Sequence, residues 1–166
     1  MAELNGFLLV WELCRSRLLQ SYEDLTPNQL NFRLHPAGNS IGEILYHTAG
    51  VEHYYGHRMN GTDPHQSEWE ARLDNSVIDK IINPGDFPFE EADMTVEKIK
   101  KAFAHGESIV KPMLESPTEA QLNSRIQSAL GPEIDGVGAL QRLAQHPFYH
   151  CGQIWQMRLH PSFPEN

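Results

Sequence analysis

The chain has 166 residues, 40% of them apolar, which supports one domain with a real core and falls short of what two domains usually need. Its formal net charge of -9, with no cluster of Lys and Arg to offset it, would repel a phosphate backbone and argues against a nucleic-acid partner. There is no apolar run of membrane-spanning length and no basic stretch followed by a small-residue cleavage site, so neither membrane insertion nor secretion is expected, and the expected compartment is the cytoplasm.

In chain order, Leu4, Phe7, Leu8, Trp11, Cys14, Leu18 and Tyr22 recur at three- and four-residue steps and predict a first helix ending near Tyr22. A Thr26-Pro27 turn and a Pro36-Ala37-Gly38 breaker follow. Ser40 and Glu43 then form an S-x-x-E capping box ahead of Ile41, Ile44, Leu45, Thr48, Val51 and Tyr55, predicting a second helix from Ile41 to about Met59. Residues 60–94 carry Asn-Gly, Asp-Pro, Asn-Pro-Gly and Phe-Pro steps, so they read as a long crossover with short helices at Glu68 to Leu73 and at Val77 to Ile82. Thr95 can cap a third helix whose Val96, Ile99, Phe103, Val110 and Met113 face inward, ended by Ser116-Pro117. A fourth helix is expected from Gly136 to Leu159, stopped by His160-Pro161. With no convincing strand, the predicted fold is all-α, a single-domain four-helix bundle with one long crossover between its halves.

The halves echo each other. Gln29-Leu30-Asn31-Phe32-Arg33 recurs as Gln121-Leu122-Asn123-Ser124-Arg125, and each copy leads into a helix start, Ile41-Gly42 or Val137-Gly138. This fits two helix-loop-helix units about a pseudo-twofold axis, with the second and fourth helices equivalent.

Nine histidines are numerous for this length. His146 and His150 are spaced i, i+4, so on a helix both stand on one face and can ligate one ion. His47 takes the matching place on the second helix, and one imidazole from there with two from the fourth would leave an open position for water or substrate. Histidines at this spacing also arise where they only edge a core, and Pro147 fits either an aimed kink or a helix break, so the spacing leaves both readings open. His53 and His57 are also spaced i, i+4 and could be a second pair of ligands, but their face differs from that of His47 and a surface role is expected. His35, His65 and His160 beside prolines, and His105 in the third helix, lack a partner at ligand spacing and read as solvated or locally hydrogen bonded. Glu43 is explained by capping, although it could accept from an imidazole. Gln153 could orient water or an imidazole, or simply bond between helices. Cys14 and Cys151 belong to no C-x-x-C pair and read as buried, reduced thiols.

Asn39-Ser40-Ile41-Gly42-Glu43-Ile44-Leu45-Tyr46-His47, together with His146-Pro147-Phe148-Tyr149-His150-Cys151-Gly152-Gln153-Ile154, resembles the DinB/YfiT-like superfamily, and the likeness spans nearly the whole chain. The resemblance implies an up-down-down-up bundle, often a homodimer, in which His47, His146 and His150 hold zinc, nickel or a similar divalent ion. It also implies metal-dependent chemistry: thiol S-transfer with a low-molecular-weight thiol such as bacillithiol or mycothiol as small-molecule partner, or metal-dependent hydrolysis. An isomerase branch carries an additional C-terminal domain that is not expected here. In mechanism the ion would lower the pKa of a bound thiol or water. A helical interaction module without turnover is the alternative of another class, and no catalytic side chain is assigned.

Overall fold

The computed structural model describes residues 2–165, with side chains from residue 6 onward, so Leu4's place in the first apolar stripe lies outside the described side chains. Four long helices dominate: α1 (Ala2–Gln20), α3 (Ile41–Asn60), α5 (Val96–Glu115) and α7 (Gly136–Arg158). Three short ones lie between them, α2 (Pro27–Leu30), α4 (Glu68–Asn75) and α6 (Glu119–Leu122), with a 3-10 turn at Glu91–Asp93. The long helices pack as a ring, α1 against α7 and α5, and α3 against α5 and α7. Among the described helices, none is long and apolar enough to cross a membrane.

The helix starts follow from their caps. Ser40 Oγ accepts from the Glu43 amide while the Glu43 carboxylate accepts from the Ser40 amide at 2.8 Å, completing the box at the head of α3. Thr95 caps α5 through the Lys98 amide, and Asp135 caps α7 through the Gly138 amide at 2.8 Å. Gly61 ends α3 in the left-handed region at φ 63°, where a Cβ would be strained. Pro147 sits inside α7 without ending it, so the helix-break reading of that residue does not hold.

Two expectations need correction. Arg125–Gln127 (β1) and Glu133–Asp135 (β2) form a small antiparallel hairpin, with Ile126 opposite Ile134, where no strand was expected. Its polar-apolar-polar triplets bury Ile126 but are too short to stand out from a loop. Val77 to Ile82 is not a helix but a run of turns, because Lys80 adopts φ 62° and interrupts the helical backbone.

The internal echo has a physical basis. Thr26 and Gln29 form a reciprocal capping box at the head of α2, and Thr118 and Gln121 form the same box at the head of α6. Asn31 and Asn123 close the two short helices in the same place. Each unit delivers the chain to a long helix, α3 or α7, and those two pack on each other.

The core draws on all four long helices. Leu18, Leu45, Phe103 and Ile154 anchor one apolar cluster, and Trp11, Val51, Val110 and Leu140 another. Each such burial contributes roughly 1.5–3 kcal/mol. A buried polar knot touches both clusters: Trp11 Nε1 and Arg15 Nε donate to Glu52 Oε1 at 3.0 and 3.1 Å, and Arg15 Nη2 donates to the Phe103 carbonyl at 2.8 Å. Gly106 of α5 lets that knot approach, since a Cβ there would lie 2.6 Å from Glu52 Oε2.

Candidate metal centre

The packing of α3 against α7 brings His47, His146 and His150 together. His47 Nε2 lies 3.2 Å from His146 Nε2, and His150 Nε2 lies 3.1 Å from the same atom. Tetrahedral ligation at about 2.0–2.1 Å separates ligand nitrogens by about 3.3 Å, so the three atoms already stand close to the spacing a zinc-like ion requires.

Hydrogen bonds set the tautomers. The Ser76 carbonyl can only accept, so His47 carries its proton on Nδ1, which donates to that oxygen at 3.1 Å and leaves Nε2 as a lone pair. His150 Nδ1 donates to Gln153 Oε1 at 2.7 Å, again freeing Nε2. Two buried lone pairs therefore face His146 Nε2, which has at most one proton to give. At least one acceptor is left unsatisfied, and His146 Nδ1 is buried without a partner. A cation at the centre would satisfy all three Nε2 atoms, so the residues fit a divalent ion.

Burial keeps these imidazoles neutral. It lowers His47 to about 3 and His150 to about 4, and it holds His146 well below the usual range; the neighbouring rings add to the effect at His47 and His146. Neutral nitrogen is the form that ligates. Among the described residues two histidine groups have the donor spacing to hold a metal ion, and this is one of them.

The centre opens onto a cavity of about 940 Å³ walled by Ile44, Val51, Val77, Leu130, Tyr149 and others. Tyr149 stands edge-on to His150 with ring centroids 5.0 Å apart. Among the described lining residues Arg142 is the one with a permanent charge, and no carboxylate faces the space despite the acidic chain.

Of the residues weighed in sequence, Gln153 meets His150 and Glu43 does not turn toward His47. Glu43 pairs with Arg33, at 2.9 Å from Nη2, and with Lys80 Nζ, also at 2.9 Å. Those contacts hold its carboxyl below the usual range against the upward push of burial. Cys14 and Cys151 are buried and free. His35, His65 and His160 make local bonds, to the Ala37 amide, the Asp74 carboxylate and the Ser162 amide.

His53, His57 and His105 depart from expectation. His53 is 0% and His57 6% exposed, and His105 Nε2 lies 3.0 Å from His53 Nδ1. The surface assignment fails because α3 is enclosed by α5, α7 and α4 and is buried at every residue from Ile41 to His57. A helix packed on all sides has no solvent face to receive them. The i, i+4 pair was visible in sequence, but its meeting with His105 depends on how α3 packs on α5. The Ser76 carbonyl, a backbone group from the crossover, left no signal at all.

The model of the DinB superfamily matches residues 11–154. The chain belongs to the DinB superfamily. A crystal structure of a conserved protein from Enterococcus faecalis is similar in fold, with a TM-score of 0.64 and 18% identity over 90% of this chain and 91% of that one. Among curated proteins, none matches.

Proposed function

We propose that this DinB protein is a metal-dependent thiol S-transferase whose ion, zinc or nickel, is held by His47, His146 and His150. The observation that carries the reading is the convergence of three neutral Nε2 atoms, spaced 3.1 and 3.2 Å from the central one, at the wall of a large and mostly apolar cavity. Three imidazoles with an open side are the donor set of a catalytic rather than a closed structural site.

When bound, the ion would act as a Lewis acid that favours a thiolate over a thiol at neutral pH. The chain supplies the rest. Ser76 and Gln153 hold two imidazoles in the ligating tautomer, and the apolar walls suit an apolar part of a co-substrate. Arg142 suits a neutral or anionic co-substrate, and the absence of carboxylates from the described lining avoids repelling a thiolate.

The four-helix, single-domain reading is supported by the ring of long-helix pairings and by the matched capped units. An up-down-down-up course is part of the same proposal. A homodimer is supported by apolar side chains left outside on adjacent helices: Leu9 and Leu13 on α1, Phe148 and Trp155 on α7, and Leu159 at its C-cap.

The test begins with elemental analysis of protein purified without a nickel-affinity step. The ion-loaded protein is then screened against pairs of low-molecular-weight thiol and electrophile, with ester and amide substrates in parallel. Thiol-dependent turnover that a chelator removes and His150→Ala abolishes is expected. Turnover that needs no thiol would replace transfer by hydrolysis, and an ion-free, inert protein would overturn the proposal.

A further inference from the structure

The second histidine group has a pattern of hydrogen bonds that a network of neutral rings alone leaves incomplete. His53 Nε2 lies 2.9 Å from the Pro64 carbonyl, which only accepts, so the proton is on Nε2 and Nδ1 is a lone pair facing His105 Nε2 at 3.0 Å. His57 Nδ1 is satisfied by Thr62 Oγ1 at 2.7 Å, yet its Nε2 is buried with no partner. The rings of His53 and His57 stand 4.4 Å apart, one helical turn on the same side of α3. One donor atom from each of His53, His57 and His105 lies within 4.8 Å of the others.

A carboxylate stands beside His105. Ser67 Oγ donates to Glu70 Oε2 at 2.9 Å, which turns Oε1 toward the cluster, 3.8 Å from His105 Nε2. We propose that His53, His57 and His105, closed by the Glu70 carboxylate, form a second site for a divalent transition metal such as zinc. Three imidazoles and one carboxylate make a complete tetrahedral set with no position left for substrate, the donor arrangement of a structural ion.

The ligands come from three elements, α3, α5 and α4, and the supporting groups Thr62 and Pro64 come from the crossover between α3 and α4. An ion there fastens that crossover to the bundle. The site stands apart from the one at His47, His146 and His150 and does not rest on the proposed activity.

The deciding experiment measures bound zinc per chain by equilibrium dialysis and elemental analysis on full-length protein. Four forms are needed: wild type, His146→Ala/His150→Ala, His57→Gln/His105→Gln, and all four substitutions together. Circular dichroism checks that each is folded. The expected result is two zinc ions in the wild type, one in each double variant and none in the quadruple variant. In the His146→Ala/His150→Ala protein, cobalt should give the intense visible absorption of a tetrahedral site, and Glu70→Gln should weaken zinc there by about tenfold or more. One zinc in the wild type that is lost from His146→Ala/His150→Ala overturns the second site and leaves the first. One zinc in the wild type that is lost only from His57→Gln/His105→Gln overturns the first and leaves the second. Zinc retained by the quadruple variant overturns both. Should the His57→Gln/His105→Gln protein fail to fold, Glu70→Gln in the His146→Ala/His150→Ala background decides: unchanged zinc affinity and unchanged cobalt spectrum reject the site.

Discussion

His47 and His53 lie six residues apart on α3, about 9 Å along its axis, and each meets two other imidazoles, yet their surroundings differ. The first cluster joins α3 to α7 and looks into a cavity. The second joins α3 to α5, has the Glu70 carboxylate 3.8 Å from His105, and sits where the crossover folds back. The same ligand chemistry is thus set in an open frame and in a closed one, and the frame, more than the histidines, separates a proposed reactive ion from a proposed structural one. The supports differ as well: a backbone carbonyl and Gln153 at the first cluster, a threonine hydroxyl and a proline carbonyl at the second.

Acid should have the largest effect and should strike both clusters together. Burial lowers His47 to about 3, His150 to about 4 and His53 to about 4 in the folded protein, while the unfolded chain titrates near 6.5. Above pH 6.5 both states are neutral there and nothing is gained or lost. Below it the unfolded chain binds protons that the folded chain refuses, so stability falls as pH falls toward 4, by roughly 1.4 kcal/mol per pH unit for each histidine. Glu52 opposes this between about 4.5 and 7, because burial raises its carboxyl to about 7 and the folded state keeps that proton longer. Three histidines outweigh one carboxyl. Urea midpoints in metal-free buffer should therefore drop steeply between pH 6.5 and 5; a flat profile would show that the rings are solvated.

Next in size is the loss of the ion from one cluster. Zinc at about a thousandfold over its dissociation constant should raise stability by about 4 kcal/mol per site. His150→Ala should remove the first cluster's share at pH 7.5 and leave that of the second. Equal zinc-induced shifts in melting temperature for wild type and variant would place the ion elsewhere.

Gly106→Ala should act on the second cluster. A Cβ there would stand 2.6 Å from Glu52 Oε2 and 2.8 Å from Glu52 Cβ, forcing α5 off α3 beside His105. Overpacking of this kind costs about 1–3 kcal/mol. Denaturation should report that loss, and dialysis should show weaker zinc at His53, His57 and His105 with the His47 cluster unchanged. Equal weakening at both clusters would mean that the ring of helices moves as one.

How much of this was legible in the sequence depends on the range of each interaction. The boundaries of α3 and α5 were readable from Ser40, Glu43 and Thr95, because a cap acts within three residues. The i, i+4 histidine pairs were readable for the same reason. What escaped depends on packing: His105 meeting His53, the Ser76 carbonyl under His47, and Glu70 beside His105 join residues 29 to 52 positions apart. The β1–β2 hairpin escaped because three residues carry too little period, and the turns at Val77 to Ile82 escaped because nothing about Lys80 announces a positive φ. The burial of His53 and His57 was misread because a helix enclosed on all sides offers its polar residues no outer face.

The smallest of these effects separates the clusters by their supports. Gln153 Oε1 accepts from His150 Nδ1 at 2.7 Å and so holds the ligating nitrogen toward the centre. Gln153→Ala leaves three imidazoles in place but lets His150 rotate or change tautomer. Loss of such a support weakens metal binding by about 10- to 100-fold, or about 1.4–2.7 kcal/mol. Gln153→Glu keeps the acceptor oxygen and adds a charge that makes the imidazole a better donor, so zinc affinity should return to at least the wild-type level. A merely structural Gln153 would predict otherwise: both variants would lower the melting temperature of the metal-free protein, and neither would change zinc affinity at the first cluster relative to the second. Zinc titrations of Gln153→Ala and Gln153→Glu in the Glu70→Gln background, where the second site is weakened, distinguish the two, and unchanged affinity in Gln153→Ala would remove Gln153 from the centre.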